Sequence, residues 1–344
     1  MSHSRGAGWM VRRWLLLIAM LFAAAPLLAQ PAPQRIVAVG DLHGDYAAWI
    51  DIARDAGLID AANKWIGGRT LLVQTGDIVD RGPDSLKIIR HLQKLDGEAK
   101  AAGGRVIVLL GNHEAMQVTG DYRYVTPGEY AAFADRQSAK RRDAAFDANA
   151  KAIIDFYHQR DPSLSPKAIR AEWITTNALG KMEYVAAWLP SGELGRWAAT
   201  LPAAAKVGDT LFVHGGISAK FALVPLPEIN RRARAALVAG DASDEAIIND
   251  PMGPLWYRGL VTRAGEPAAG RPTMAAELDG SLLGHGAKRM VIGHTPDIKG
   301  IGFLFGGKLI QIDTGISRYY GGKLGWLEIL GDRAIPHAAA RSSK

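Results

Sequence analysis

The residue types and spacing of the segment "AVGDLHGDYAAW" (residues 38–49) are suited to metal chemistry. Asp41 and His43 stand two residues apart, directly after an apolar run (residues 35–39) that ends at a glycine. Two interpretations are open at this point. Asp and Gly are common turn formers, so the segment could simply be a turn. Alternatively, the carboxylate and the imidazole could be the first two ligands of a metal ion.

Four later apolar runs also end in polar residues that can bind a metal or a phosphate. These endings are "GDIVDRGPDS" (76–85), "GNHE" (111–114), "VHGG" (213–216) and "IGHTP" (292–296). In open α/β sheets the ligand crevice lies outside the carboxyl ends of the strands. Each ending alone could be a turn, but five in order predict one shared site, in which Asp41 and His43 are ligands.

Strand-like and helical segments alternate along much of the chain. Apolar, β-branched runs predict strands at residues 35–39, 70–75, 105–110, 210–214, 289–293, 308–313 and 325–330. Residues 45–59 suit a helix, and Pro83 fits the start of a second helix. His91 is expected on the solvated face of that second helix. The order strand–helix–strand–helix–strand predicts parallel pairing with right-handed crossovers.

Two long segments interrupt this alternation. Residues 121–204 are rich in alanine and charged residues, and they predict an insertion of several helices, since a loop of this length needs structure of its own. Trp173, Trp188 and Trp197 in this insertion are expected to pack in its core or in a lid. A second, more polar insertion covers about residues 219–280.

The composition excludes several functional classes. The 344 residues contain no cysteine, so any metal must be bound by nitrogen and oxygen atoms, and no cysteine nucleophile exists. The net charge is +7, of which three positive charges belong to the first thirty residues. The remaining charge is mild and no dense Lys/Arg tract is present, which argues against a nucleic-acid partner.

The N-terminal residues have the pattern of a targeting signal. Arg5, Arg12 and Arg13 precede an apolar run (residues 14–28), and small residues surround Ala29. This pattern predicts a secretory signal peptide over residues 1–29, because the run is short for a membrane span. The predicted location is periplasmic or secreted, without a membrane after cleavage. An uncleaved membrane anchor is the alternative.

The series GD-x-HG, GD-x-x-DRG, GNHE, HGG and GH resembles the motifs of the calcineurin-like metallophosphoesterases, within the phosphoprotein phosphatase superfamily. "GDYRYVTPGEY" after GNHE and the later "GPLWYRG" are most similar to the bacterial Shewanella-like protein phosphatases. The resemblance implies an α/β fold of two packed mixed β-sheets flanked by helices, with the helical insertion added. The catalytic domain would then span residues 35–330.

The resemblance also implies a site with two divalent metal ions. One ion would be bound by Asp41, His43 and Asp77, and the other by Asp77, Asn112, His214 and His294. Asp77 would bridge the ions, and Asn112 would also contact the substrate phosphate. Two ions about 3.5–4 Å apart need a shared carboxylate, and together they lower the pKa of a water between them. Nitrogen and oxygen ligands suit Mn, Fe or Zn.

Four residues outside the metal ligands also receive roles from the resemblance. His113 would be the general acid that protonates the leaving oxygen, with Asp80 holding its other ring nitrogen. Arg81 and Arg258 would bind phosphate oxygens through their guanidinium groups. Plainer interpretations are open for two of them: His113 could hydrogen-bond a loop, and Arg258 could form a surface salt bridge.

Together these features predict a metal-dependent phosphomonoesterase. In the implied reaction a metal-activated hydroxide attacks phosphorus in line. The substrate would be a phosphorylated protein (phosphotyrosine, phosphoserine or phosphothreonine) or a small phosphomonoester, and Tyr319 and Tyr320 could border its pocket. Three alternatives are open: a hydrolase of nucleotides or diadenosine polyphosphates, a phosphodiesterase such as a nuclease, and a non-catalytic metal-binding relative.

Overall fold

The computed structural model describes residues 34–264 and 270–342, and the predicted signal peptide lies outside them. Within these residues, ten strands form two five-stranded sheets with helices against them. Each sheet contains both parallel and antiparallel pairs. The predicted α/β fold of two mixed sheets flanked by helices is therefore confirmed.

The first sheet carries the parallel strands predicted from the strand–helix alternation. Its strands are β1 (Ile36–Val39), β2 (Leu71–Gln74), β3 (Arg105–Val108), β9 (Leu324–Leu330) and β10 (Arg333–Ala339). They lie in the order β10-β9-β1-β2-β3. β1, β2 and β3 pair in parallel, so their carboxyl ends share one edge of the sheet.

The second sheet has parallel strands at its centre and antiparallel strands at both edges. Its strands are β4 (Ala204–Val207), β5 (Thr210–Val213), β6 (Arg289–Ile292), β7 (Gly302–Leu304) and β8 (Leu309–Gln311). They lie in the order β4-β5-β6-β8-β7. β5, β6 and β8 pair in parallel, so this sheet also collects the carboxyl ends of its central strands at one edge.

An apolar core fills the space between the sheets. It contains Ile36, Ala38, Leu71, Val73, Ile107, Leu109, Leu327 and Ile329 from the first sheet side and Phe212, Val291, Ile310 and Ile312 from the second. The alternate residues Val37 and Val39 belong to the larger cluster that packs against the helices. Because both faces of β1 are buried, its sequence is an unbroken apolar run.

The described residues also form ten α-helices. These are α1 (Tyr46–Asp55), α2 (Ser85–Ala101), α3 (Asn112–Thr119), α4 (Pro127–Ala131), α5 (Ser138–His158), α6 (Pro166–Thr176), α7 (Lys181–Trp188), α8 (Glu193–Ala198), α9 (Leu226–Ala239) and α10 (Met274–Gly284). α1, α2 and α3 follow β1, β2 and β3 in turn. No helix in residues 34–264 or 270–342 has the length and hydropathy needed to cross a bilayer.

The two predicted insertions differ in their content. Residues 121–204 contain α4 to α8, and β4 begins at residue 204. "PSLSP" (162–166) separates α5 from α6, as expected. Trp188 is 1% exposed and packs against Tyr184, which fits a core position. Residues 219–280 contain α9 and the first part of α10.

All seven predicted strands occur, with ends shifted by no more than two residues. Three further strands, β4, β7 and β10, were not predicted, and all three are edge strands. Most of their residues are partly buried or exposed, so they lack the continuous buried apolar run of the central strands. β10 lies beyond residue 330, where the predicted catalytic domain ends.

The prediction that His91 is solvated is wrong. His91 is 7% exposed. Its Nδ1 accepts a hydrogen bond from Trp49 Nε1 (2.9 Å), and its Nε2 donates to the carbonyl oxygen of Asn63 (3.1 Å). Burial lowers the pKa of the imidazole. The polar neighbours on α2 hid the fact that this side chain faces α1.

Candidate functional site

The predicted site residues lie at the carboxyl ends of strands from both sheets. Asp41 follows β1, Asp77 and Asp80 follow β2, Asn112 and His113 begin α3 after β3, His214 follows β5, and His294 follows β6. All of these residues are at most 4% exposed. The structure therefore brings together the predicted metal ligands and the predicted acid–histidine pair.

Two of the loops at this edge are joined through their backbones. The amide nitrogens of Leu42 and His43 both donate to the carbonyl oxygen of Asp77, at 3.0 Å. Gly44 N donates to Ile78 O at 2.8 Å. These bonds fix the position of the Asp41–His43 segment relative to Asp77, which is 36 residues away from Asp41 in the sequence.

Backbone strain is concentrated at the site. Seven non-glycine residues of the described chain have a left-handed backbone conformation. Five of them are His43 (φ 41°), Asp77 (φ 54°), Asp80 (φ 71°), Arg81 (φ 67°) and His294 (φ 63°). This conformation costs about 1–2 kcal/mol for an L-residue. Such strain persists where the surrounding structure holds functional side chains in place.

Asp77 is the centre of the cluster. Its Oδ2 lies 3.8 Å from Nε2 of both His43 and His113, and 3.2 Å from Nε2 of His214. Two groups of possible ligand atoms, each within 4.8 Å of one another, share this carboxylate: His43, Asp77 and His113, and Asp77, His214 and His294. One carboxylate common to two donor groups is the arrangement that a pair of divalent ions requires.

Backbone carbonyl groups orient three of these imidazoles. His43 Nδ1 donates to Val79 O (2.9 Å), and His214 Nδ1 donates to Thr75 O (2.8 Å). His294 uses Nε2 to donate to Trp256 O (3.2 Å). Since a carbonyl oxygen only accepts, the other nitrogen of each ring keeps its lone pair. This outer hydrogen bond is typical of histidines that bind metals.

Asp41 and Asn112 lie beside these two donor groups. Both carboxylate oxygens of Asp41 accept from His294 N (3.2 and 3.0 Å), and its Oδ1 lies 4.0 Å from His214 Nδ1. Asn112 Oδ1 lies 3.0 Å from His214 Nε2. Both residues are buried and contact residues of the second donor group.

The electrostatics of the site fit a bound cation. Burial raises the pKa of Asp41, and the negative charges of Asp313 and Asp77 raise it further. Burial also raises the pKa of Asp313, to about 6. The three carboxylates are therefore crowded together. Burial also lowers the pKa of His43, to about 3, so its imidazole is neutral at pH 7. Neutral imidazole and carboxylate oxygens form a donor set for a divalent ion.

His113 differs from the other histidines in its partner. Its Nδ1 donates to Asp80 Oδ2 (2.5 Å), a carboxylate instead of a carbonyl. Burial opposes protonation of His113, but Asp77 and Asp80 outweigh it and raise the pKa of the imidazole. The structure therefore places the predicted acid–histidine pair as expected, with Nε2 of His113 pointing toward Asp77.

The two predicted phosphate-binding arginines have different surroundings. The guanidinium group of Arg81 lies over three aromatic rings: Tyr124 (4.6 Å), Tyr319 (5.0 Å) and Tyr320 (5.1 Å). Arg258 donates from Nη1 to His294 O (2.5 Å) and to Thr295 Oγ1 (3.2 Å). Arg258 thus contacts the loop of a predicted ligand, and the interpretation as a surface salt bridge does not describe it.

A cavity opens beside these residues. Its volume is about 180 Å³, and its lining includes His43, Arg81, Asp84, Ser317 and Tyr319. Tyr319 is 62% exposed at its rim. The cavity gives solvent a route to the buried cluster from the side of Arg81.

Sequence reasoning missed three buried acids. Glu114 accepts hydrogen bonds from the backbone nitrogens of Asp77 (3.0 Å), Ile78 (2.8 Å) and Gly111 (2.9 Å). Glu129 accepts from Asp80 N (3.0 Å). Asp313 follows β8 at the same edge of the second sheet. The strand-end signal that identified the other ligands would have identified Asp313 in "QIDTG".

The comparisons with known proteins cover most of the chain. The sequence profile described as calcineurin-like phosphoesterase matches residues 34–320. Shewanella-like protein phosphatase 2 of Arabidopsis thaliana is 34% identical over 298 residues, which are 83% of this chain and 72% of the relative. The crystal structure of a cold-active protein-tyrosine phosphatase from a psychrophilic Shewanella species is similar with a TM-score of 0.63 and 25% identity, covering 90% of this chain and 81% of that chain.

Similarity to a dinucleotide hydrolase is confined to a short stretch. The symmetrical bis(5'-nucleosyl)-tetraphosphatase of Aeromonas salmonicida is 40% identical over 76 residues, which are 22% of this chain and 23% of the relative. The similarity to the two phosphatases, by contrast, covers 83% and 90% of this chain. The resemblance predicted from the motifs is therefore confirmed, and the dinucleotide alternative is not favoured.

Proposed function

Because this chain belongs to the calcineurin-like phosphoesterase family, we propose that it is a metal-dependent phosphatase that removes phosphate from proteins. One observation carries the proposal: two buried donor groups share Asp77, and His113, which belongs to the first group, is paired with Asp80. The relatives that match most of the chain are named as a protein phosphatase and a protein-tyrosine phosphatase, which supports a protein substrate.

The proposed metal centre holds two divalent ions. Asp41, His43 and Asp77 would bind one ion, and Asp77, Asn112, His214 and His294 would bind the other. The fit rests on the crowded carboxylates and on the free lone pairs of the oriented imidazoles. Bound ions would lower the pKa of a water and neutralise charge on the phosphoryl group. Mn, Fe and Zn all suit this donor set.

His113 is proposed as a proton donor, although it lies within one of the two donor groups. Its carboxylate partner, Asp80, favours the protonated imidazole. A protonated imidazole can donate a proton from Nε2 but has no lone pair for a metal. This role leaves Asp41, whose carboxylate lies against the His294 backbone, to complete the first metal site.

The arginines and Asn112 are proposed to bind the phosphoryl group. Arg81 is held by tyrosine rings, so its N–H groups are available to phosphate oxygens. Arg258 uses Nη1 to fix the His294 loop, and its remaining N–H groups would contact the phosphate. These cations gain interaction energy as negative charge spreads over the phosphoryl oxygens.

The aromatic surroundings of Arg81 favour phosphotyrosine over phosphoserine or phosphothreonine. Tyr124, Tyr319 and Tyr320 present rings around the guanidinium group, and Tyr319 also lines the cavity. The phenyl group of phosphotyrosine could pack against these rings while its phosphate reaches Arg81. An aliphatic phosphoester would have no ring to place there.

The protein is also proposed to act outside the cytoplasm, in the periplasm or the medium. This rests on the predicted signal peptide (residues 1–29), which combines arginines, a short apolar run and small residues. N-terminal sequencing of the protein from a periplasmic fraction tests it. A new N-terminus near residue 30 supports export, and an intact Met1 in the cytoplasm contradicts it.

The proposed function is tested by phosphate release from matched substrates. Phosphotyrosine peptide, phosphoserine peptide, a small phosphomonoester and diadenosine tetraphosphate are compared, each with added manganese and with chelator. We expect chelator-sensitive turnover that is fastest for phosphotyrosine peptide. Preference for the dinucleotide would overturn the substrate class, and metal binding without any turnover would favour the non-catalytic alternative.

A further inference from the structure

A chain of buried hydrogen bonds extends from the His113–Asp80 pair into the helical insertion. Gln117 lies one turn after His113 on α3, so the two side chains share a helix face. Gln117 Nε2 donates to Asp80 Oδ2 (3.0 Å), the same oxygen that accepts from His113 Nδ1. Two donors from one helix therefore hold a single carboxylate oxygen.

The chain of hydrogen bonds continues from Gln117 to Tyr184 on α7. The Tyr184 hydroxyl donates to Gln117 Oε1 at 2.8 Å, and both side chains are at most 1% exposed. The order of donors and acceptors in these hydrogen bonds follows from the chemistry of Asp80 and Tyr184. An ionised carboxylate only accepts, so the amide must turn its NH₂ group toward Asp80 and its oxygen toward the tyrosine.

The ring of Tyr184 has a fixed position. Tyr122, Tyr130 and Phe133 contact it edge-on, with ring centroids 5.9, 5.2 and 5.1 Å away. Trp188, on the same helix as Tyr184, also packs against this ring, with a centroid distance of 6.3 Å. Edge-to-face packing at these distances restrains a ring, so the hydroxyl is held at one place behind the site.

Asp80 needs this support. It has a left-handed backbone (φ 71°), and its Oδ1 is buried without a hydrogen-bond partner. Its backbone nitrogen donates to Glu129 Oε1, from α4. The side-chain orientation thus depends on the two bonds to Oδ2, one from His113 and one from Gln117.

We infer that Tyr184 and Gln117 are positioning residues that hold Asp80, and through it His113, in the orientation for proton transfer. The inference rests on the proposed role of His113. As the bond between phosphorus and the leaving oxygen breaks, that oxygen keeps the bonding electrons and takes the proton from His113 Nε2. The helical insertion is thereby part of the proton-donor machinery as well as a wall of the pocket.

The test uses two aryl phosphates that differ in their need for a proton. Phenolate is a strong base and requires protonation as it leaves, whereas 2,4-dinitrophenolate leaves without it. We expect Tyr184→Phe to lower kcat for phenyl phosphate about tenfold, a part of the 10²–10⁴-fold typical of general acid catalysis. For 2,4-dinitrophenyl phosphate kcat should change less than about twofold.

Two further variants keep the test decisive. Tyr130→Phe is the matched control: it removes a hydroxyl from a ring that packs on Tyr184 but lies outside the hydrogen-bond chain, so the ratio of the two kcat values should stay at the wild-type value. Gln117→Met removes both bonds of the amide at similar volume. It should change the ratio of the two kcat values as Tyr184→Phe does. The variant that combines both substitutions should change this ratio little further, because both substitutions break the same chain of hydrogen bonds.

His113→Asn separates the inference from the proposed function on which it rests. If His113→Asn changes the ratio of the two kcat values but Tyr184→Phe and Gln117→Met leave it unchanged, the positioning role is wrong and the acid role stands. If His113→Asn leaves the ratio unchanged, the acid role itself is wrong. An equal loss on both substrates in Tyr184→Phe would indicate general damage to the fold and overturn the inference.

Discussion

At the scale of residues, the site converges on one carboxylate oxygen. Asp77 Oδ2 faces the Nε2 atoms of His43, His113 and His214 at 3.2–3.8 Å. What separates the three histidines is the group on the far side of each ring. His43 and His214 donate to neutral carbonyl oxygens, whereas His113 donates to Asp80. That difference is the basis on which we propose metal binding for two of them and proton transfer for the third.

His113→Asn tests this assignment. We expect kcat to fall about 10²–10⁴-fold for a substrate with a poor leaving group, because the proton donor is lost. The metal content, measured by mass spectrometry of the purified protein, should equal that of the wild type. Loss of metal from the variant would show that His113 is a ligand, and the proposed ligand set would then need His113 in place of Asp41.

Apart from Arg258, the predicted site residues could be found from the sequence because each stands shortly after the end of an apolar strand. The assignment of individual ligands came from the resemblance to a known family. Glu114 escaped the prediction, although it stands in "GNHE", because its oxygens bind backbone nitrogens rather than substrate or metal. Tyr184 and Gln117 escaped it for another reason. Their hydrogen bond joins two residues that are 67 positions apart in the sequence and lie on different helices, and no local sequence pattern indicates such a contact.

At the scale of elements, the site depends on loops that approach each other closely. Gly44 has φ 65°, and a Cβ atom there would lie 2.5 Å from the carbonyl oxygen of Gly82. The loop after β1 therefore contacts the loop after β2 with no room for a side chain. This contact sets the distance between His43 and Asp77.

Gly44→Ala should both destabilise the protein and reduce its activity. We expect a loss of about 2–4 kcal/mol in the free energy of unfolding, from backbone strain and from the displaced loop. Gly57→Ala is the matched control, since Gly57 has φ 62° with no atom within 4 Å of a Cβ. It should cost only about 1 kcal/mol and keep full activity. Equal losses in the free energy of unfolding of the two variants, measured in urea, would show that the close contact at Gly44 has no effect and would contradict the prediction.

The fully buried strands were predictable, and three partly exposed edge strands were not. β1, β2, β5 and β6 are buried on all residues, so each appears as an apolar run. β10 contains Pro336 and is partly exposed along its length, which fits an edge strand but gives no clear sequence signal. Partial exposure therefore explains why β4, β7 and β10 were missed, whereas the edge strand β3, in which Val106 and Ile107 are buried, was predicted.

At the scale of the whole molecule, the site exists only where the two sheets meet. The loops after β1, β2 and β3 supply Asp41, His43, Asp77 and Asn112, and those after β5, β6 and β8 supply His214, His294 and Asp313. The helical insertion contacts the same place through Glu129 and Tyr184. The same buried polar groups thus contribute to the stability of the fold and to the geometry of the site.

Glu129 predicts one pH dependence of stability. Burial and the charge of Asp80 raise its pKa from 4.5 to about 7. Between these values the unfolded chain releases the proton that the folded protein retains, so stability falls as pH rises through this range. The expected contribution is about 1–3 kcal/mol. Urea unfolding at several pH values should show a smaller fall in Glu129→Gln than in the wild type, and identical slopes would contradict the prediction.

The central claim is that Asp77 is shared by two metal ions that activity requires. The most direct measurement is a titration of metal-free protein with manganese, following bound metal and phosphate release from phosphotyrosine peptide in the same samples. The account predicts that activity reaches its plateau at two ions per chain and that Asp77→Asn neither binds both ions nor turns over. Full activity without metal, or a plateau at one ion, would contradict it.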